Sequence, residues 1–91
     1  MNIVIYSKTT CPYCDMAKTY LRERAIPFIE EVLDDDVVRQ TMYDDLGLHD
    51  RHRTVPQIFL RDDSRLTRIG GYRDLLAWGD RMAVGNFNED F

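Results

Sequence analysis

The only two cysteines of the chain, Cys11 and Cys14, lie within the stretch Lys8–Lys18 (KTTCPYCDMAK), directly after the apolar run Asn2–Tyr6 (NIVIY). That placement restricts the fold more than any other feature. The short β-branched run reads as a buried strand. Pro12 then suits the first turn of a helix, where its missing N–H would have had no partner. Met16, Ala17, Tyr20 and Leu21 follow at helical spacing, with Asp15, Lys18, Arg22 and Glu23 on the other face. A strand that runs straight into a helix indicates an α/β chain, and it sets Cys11 just past the C-terminal end of the first strand, where such folds build their sites.

The first helix is expected to fade over Arg24–Ile26, ahead of Pro27. Phe28–Val32 reads as a second strand. Asp34, Asp35 and Asp36 are capping candidates for a second helix, with Val38, Met42 and Leu46 as its apolar stripe and Gly47 as its stop. Leu48–Arg53 reads as a polar loop, Val55–Leu60 as a strand, Arg61–Ser64 as a turn and Arg65–Ile69 as the returning strand of a hairpin. Gly70 and Gly71 break that pattern. A last helix is expected from about Arg73 to Met82, weakened by Gly79. The order β-α-β-α-β-β-α implies a parallel first pair with a right-handed crossover and an antiparallel closing hairpin. The expected result is a four-stranded mixed sheet flanked by helices on both faces, with residues 1–91 as a single domain and residues 84–91 as a loose tail.

The length of 91 residues suits one domain, and an apolar share of 44% makes a core feasible. A net charge of −4 with 31% charged residues argues against bulk binding to nucleic acid or to a membrane surface. No apolar run is long enough to span a bilayer. The start MNIVIYSK lacks the basic and apolar regions of a signal peptide, so a reducing, cytoplasmic setting is expected. In such a setting a CxxC pair is more often catalytic or metal-binding than a structural staple.

The position of the pair suggests roles. Cys11 precedes the first helical turn, where free N–H groups and the positive end of the helix dipole favour thiolate over thiol. Lys8 adds positive charge nearby. Cys14 lies one turn further in and less exposed, so Cys11 is expected to attack a disulfide and Cys14 to resolve the mixed disulfide that forms. A permanent structural disulfide would close only a tiny loop and restrict the unfolded chain little. A zinc site completed by His49 and His52 is the other alternative, but their spacing is tighter than that of usual zinc pairs.

Three segments together resemble the glutaredoxin family of the thioredoxin-like fold: CPYC (Cys11–Cys14) with Lys8 ahead of it, TVP (Thr54–Pro56), and GGYRD (Gly70–Asp74). The resemblance implies a dithiol, glutathione-dependent thiol–disulfide oxidoreductase with redox-active Cys11 and Cys14. It implies no bound cofactor and no metal; glutathione is a co-substrate. It also implies a glutathione site. Val55, flanked by Thr54 and a cis Pro56, would pair its backbone with the cysteine part of glutathione. Lys8 would meet the glycine-end carboxylate. N–H groups near Arg73 and Asp74 would meet the γ-glutamyl carboxylate, and the Asp74 side chain its ammonium. Tyr13 would wall the mixed disulfide, and Tyr72 joins the set with simple packing as its alternative. Arg51 and Arg53 could also reach the glycine end.

The implied partners are glutathione and disulfide-containing or glutathionylated proteins, with ribonucleotide reductase as one candidate, and the chain is expected to be a monomer. Neither nucleic acid nor membrane is expected as a partner. Arg73 departs from the small residue usual before that Asp, and the hairpin around Leu60–Arg68 is longer and more charged than in compact members. The alternatives are a thioredoxin-type electron donor and a metal or iron–sulfur module. Pro12 and Cys14 count against the cluster, whose binders usually carry Gly-Phe-Ser after the first Cys.

Overall fold

The computed structural model describes residues 2–82. Its elements follow the expected order: β1 (Asn2–Ser7), α1 (Pro12–Glu23), β2 (Phe28–Val32), α2 (Asp36–Asp45), a 3₁₀ turn (Asp50–His52), β3 (Gln57–Asp62), β4 (Arg65–Gly70) and α3 (Tyr72–Met82). The tail expected over residues 84–91 lies outside the described residues. The sheet order is β2-β1-β3-β4, with β1 parallel to β2 and antiparallel to β3, and β3 antiparallel to β4. No described helix is long and apolar enough to cross a membrane.

Alternation along β1 and β3 divides the core between the two faces of the sheet. Ile3, Ile5 and Ile58 pack with Ala17, Tyr20 and Leu21 of α1 and Leu75 of α3. On the other face Tyr6 and Leu33 pack against Met42, Tyr43 and Leu48. The stripe expected on α2 is therefore rotated. Val38 is 49% exposed, and Tyr43, at 2%, takes the inward position. Leu48, expected in a polar loop, is buried because α2 ends in a Schellman turn. Gly47 has φ +69°, its N–H donates to Asp44 O, and the Leu48 N–H donates to Tyr43 O, which lays the Leu48 side chain on Tyr43. The end of α1 has the same bonds, Ala25 N–H to Arg22 O and Ile26 N–H to Leu21 O, with Ala25 at φ +56° in the glycine position.

β3 starts later and ends later than expected. Pro56 has no N–H to give to the ladder, so pairing begins at Gln57. At the other end Arg61 and Asp62 stay paired with Leu66 and Arg65, so only Asp63 and Ser64 form the turn. The register shifts by one between Ile58 and Phe59, a bulge that leaves Ile69 unmatched just before Gly70. Gly79, expected to weaken α3, has a packing reason. It is buried where Tyr20 of α1 crosses, and a Cβ there would stand 2.9 Å from Tyr20 Cζ.

Candidate active site

The β1–α1 junction holds the two cysteines as a disulfide with Cα atoms 5.2 Å apart. Cys11 is the N-cap of α1, at φ −132° and ψ 99°, and its Sγ accepts from the Cys14 N–H at 3.1 Å. The sulfur thus takes the place of the oxygen in an ordinary cap and meets a free donor of the first turn. Cys11 is 7% exposed and Cys14 1%, in the order expected for attacking and resolving thiols.

The approach to Cys11 is held from the side. Thr10 adopts φ +58°, an uncommon conformation for a β-branched residue. Asp34, which precedes α2, accepts from the Thr9 N–H and the Thr9 hydroxyl, both at 2.6 Å. The Thr9 hydroxyl and N–H hold the Asp34 carboxyl below its ordinary range, with smaller help from the Lys8 and Arg39 charges. The N-cap of α2 is the next residue, Asp35, whose carboxylate accepts from Val37 and Val38 N–H.

Deeper in the sheet, the buried Ser7 hydroxyl donates to Glu30 at 2.6 Å, and Lys18 Nζ reaches the same carboxylate oxygen at 2.9 Å. The Ser7 bond, together with Lys18 and against some desolvation, lowers the Glu30 pKa below its ordinary 4.5. A lowered carboxylate stabilises the fold above the unfolded value, and the gain is lost as pH falls through the folded one. Ser7→Ala is therefore expected to lower stability at pH 7 by about 1–2 kcal/mol. The deficit should shrink as pH falls from about 4.5 through the lowered folded value of Glu30. Denaturant titrations of both proteins over pH 3–7 check it. A deficit that stays constant over that range would remove Glu30 from the account.

Beside the disulfide lies a groove of about 360 Å³ lined by Tyr13, Thr54, Val55, Pro56, Gly71, Tyr72, Arg73 and Asp74. The Val55–Pro56 peptide is cis, and Val55 O stands 3.8 Å from Cys11 Sγ. The rings of Tyr13 and Tyr72 face each other at 6.1 Å. At the far end, the Gly71 N–H donates to Asp74 Oδ2 at 2.9 Å, half of a capping box, which leaves Oδ1 for another donor. The N–H groups of the first turn of α3 have no intrahelical acceptor, so they are available to an anionic group. Such a cleft can take an extended anionic peptide, with one backbone edge on Val55, its thiol at Cys11, and a carboxylate and ammonium at the start of α3.

Seven of the eight residues expected around a ligand line this one groove. Lys8 is the exception. It is exposed and outside the lining, and its charge acts on Asp34. Arg53, considered for the same carboxylate, is turned to α2 instead. It donates to Leu48 O, Gln40 Oε1 and Asp44 Oδ1, and its guanidinium lies over Tyr43. Arg51 is exposed. His49 and His52 belong to no metal-binding group of three or more His, Cys, Asp or Glu among the described residues. Sequence reasoning missed Gln57, which is fully buried behind the groove. A lone amide within the run VPQIFL was its available signal.

The comparisons with known proteins point the same way. A model of the glutaredoxin family matches residues 3–64. Glutaredoxin 3 of Escherichia coli is 37% identical over 76 residues, covering 84% of this chain and 83% of that one. The crystal structure of glutaredoxin 1 from Francisella tularensis superposes with a TM-score of 0.75 at 35% identity, over 90% of this chain and 95% of that one. A buckwheat glutaredoxin–glutathione complex superposes with a TM-score of 0.65 at 26% identity, over 90% and 70% of the two chains.

Proposed function

Because the chain belongs to the glutaredoxin family of thiol–disulfide oxidoreductases, we propose that glutathione recharges its Cys11–Cys14 pair from the groove beside it. The cycle needs no bound cofactor. Reduced Cys11 attacks a target disulfide as a thiolate, and the target's leaving sulfur departs as a thiolate and takes a proton. Cys14 then attacks Cys11 Sγ in the mixed disulfide, which frees the second target thiol and closes the Cys11–Cys14 disulfide. One glutathione thiolate opens that disulfide at Cys11. A second attacks the glutathione sulfur and leaves as glutathione disulfide, so two electrons enter and two leave. A target that already carries glutathione needs Cys11 alone.

The observation that carries this reading is the groove itself. It joins the Val55 backbone, next to Cys11 Sγ, to the N-terminus of α3 and Asp74. Tyr13, 55% exposed, forms its outer wall with Tyr72. Thr54, Val55 and Pro56 supply the edge for the cysteinyl part, and Arg73 and Asp74 the glutamyl end. Lys8 serves the glycine end by swinging in from the β1–α1 loop. The whole chain acts as one domain and as a monomer in the cytoplasm. Its targets are disulfide-containing or glutathionylated proteins, with ribonucleotide reductase among the candidates.

A coupled assay tests the reading, with disulfide reduction driven either by glutathione and its reductase or by a thioredoxin reductase. Faster turnover with glutathione is expected. Faster turnover with the thioredoxin reductase would replace this reading with the thioredoxin-type donor.

Asp74 gives a second test. Its contact to the ligand ammonium is exposed and worth about 0.5–1.5 kcal/mol. Asp74→Ala should therefore cost roughly several-fold in efficiency with glutathione, mostly in KM. It also loses the Gly71 bond, so the thermal midpoint should fall as well. Dithiothreitol has no glutamyl end and separates the two effects. Equal losses with both reductants would make Asp74 a helix cap only.

A further inference from the structure

Gln57 opens β3 and is fully buried on the α2 side of the sheet, the side it shares with Phe59. Its carboxamide is bonded at both ends. Nε2 donates to His52 O at 2.9 Å and to Thr54 O at 3.0 Å, with Thr54 Oγ1 at 3.3 Å. Oε1 accepts from Arg68 Nε of β4 at 3.1 Å. The amide can sit only this way round, because the flipped form would set an oxygen against two carbonyl oxygens and a nitrogen against a guanidinium.

The Thr54–Val55 peptide is trans, since the one cis bond in this segment is Val55–Pro56. In a trans peptide the C=O and the N–H point in opposite directions. Holding Thr54 O against the buried Gln57 amide therefore turns the Val55 N–H the other way, toward the groove that Thr54 and Val55 line. Among the described residues the Val55 N–H donates to no backbone acceptor.

We propose that Gln57 is a positioning residue for the redox site, and that Arg68 completes it. Together they fix the Thr54–Val55 peptide plane, so that the Val55 N–H is presented, already oriented, to the backbone of an extended peptide thiol. The identity of that ligand as glutathione rests on the reading given above. The peptide orientation does not. Arg68 connects the closing hairpin to this function, because its guanidinium keeps the Gln57 amide from rotating. Gln57 touches neither a sulfur nor the ligand, so its effect should fall on binding and leave the exchange step intact.

Three variants test this. Gln57→Leu removes both ends of the amide at similar volume. Gln57→Glu keeps an acceptor for Arg68 but sets an oxygen where Thr54 O needs a donor. Arg68→Met leaves the amide with its outer partner gone and protects the test against a Leu variant that does not fold. In the glutathione-driven reduction of a protein disulfide, where free glutathione opens the Cys11–Cys14 bond, Gln57→Leu and Gln57→Glu should raise the apparent KM for glutathione about 5–20-fold, and Arg68→Met about 2–5-fold. Turnover number, and turnover with dithiothreitol, should stay within about twofold of the parent.

Ligand-free amide NMR spectra give the second readout. The parent should show one sharp Val55 resonance, and the Gln57 variants a doubled or exchange-broadened one. A single sharp Val55 resonance in the Gln57 variants would overturn the proposal, as would equal losses with glutathione and dithiothreitol. Failure of glutathione to reduce the parent protein would reject the ligand reading instead, and the ligand-free spectra would still decide the role of Gln57.

Discussion

Cys11→Ser is expected to abolish reduction of both protein disulfides and glutathione mixed disulfides, whereas Cys14→Ser should abolish only the first. The difference follows from position. Cys11 caps α1, with its sulfur on the Cys14 N–H and beside Val55 O, at the edge of the groove. Cys14 lies a turn deeper and is almost inaccessible, at 1%. A glutathionylated target needs one thiol to take up glutathione, and a second glutathione then releases it, so Cys14 is dispensable there. A protein disulfide leaves the target bound to Cys11, and only Cys14 is placed to release it. Cys11→Ser should leave activity at the uncatalysed background in both assays, a loss of at least about a thousandfold, because a serine hydroxyl does not form a thiolate-like nucleophile near neutral pH. Identical behaviour of the two variants in both assays would show that the roles are misassigned.

Gly70→Ala should be damaging out of proportion to the single methyl group it adds. Gly70 has φ +125°, a conformation that L side chains rarely adopt. A Cβ there would stand 2.7 Å from Asp74 Cγ and 2.8 Å from Asp74 Cβ. Backbone strain and overpacking together should cost about 2–4 kcal/mol of stability. The clash also pushes the Asp74 carboxylate off the Gly71 N–H and out of the groove wall, so glutathione KM should rise in whatever protein remains folded. Pairing Gly70→Ala with Asp74→Ala removes Cγ and the oxygens but leaves Cβ. The double variant should therefore lose less stability than the sum of the two single losses. Thermal or denaturant unfolding of the three variants measures this. Strict additivity would mean that backbone strain alone, without the contact to Asp74, causes the damage.

Much of the molecule was legible in the sequence. The order of elements, the parallel first pair and the closing hairpin follow from the apolar runs and from the CxxC junction. The groove was anticipated from TVP and GGYRD, whose residues fold onto one cleft although the two segments are separated along the chain. What the sequence hid depends on rotation and on long-range bonds. The helical period of α2 fits either Val38 or Tyr43 facing inward, and only the Schellman turn that brings Leu48 onto Tyr43 decides between them. Arg53 reads as a free cation until its three acceptors on α2 and the preceding loop are seen. Gly79 reads as a weak point in α3 until Tyr20 is found crossing it. Gln57 reads as a polar interruption in a strand, because its partners His52, Thr54 and Arg68 come from different segments.

The groove between Val55 and the start of α3 is expected to hold glutathione while its sulfur is bonded to Cys11. Structure determination of the Cys14→Ser protein after reaction with glutathione disulfide tests it most directly. The expected result is one glutathione disulfide-bonded to Cys11, its cysteinyl backbone paired with Val55, and its γ-glutamyl carboxylate on the free N–H groups of α3 with the ammonium at Asp74. A glutathione bonded to Cys11 but extending away from Thr54–Pro56 and Gly71–Asp74 would contradict the account.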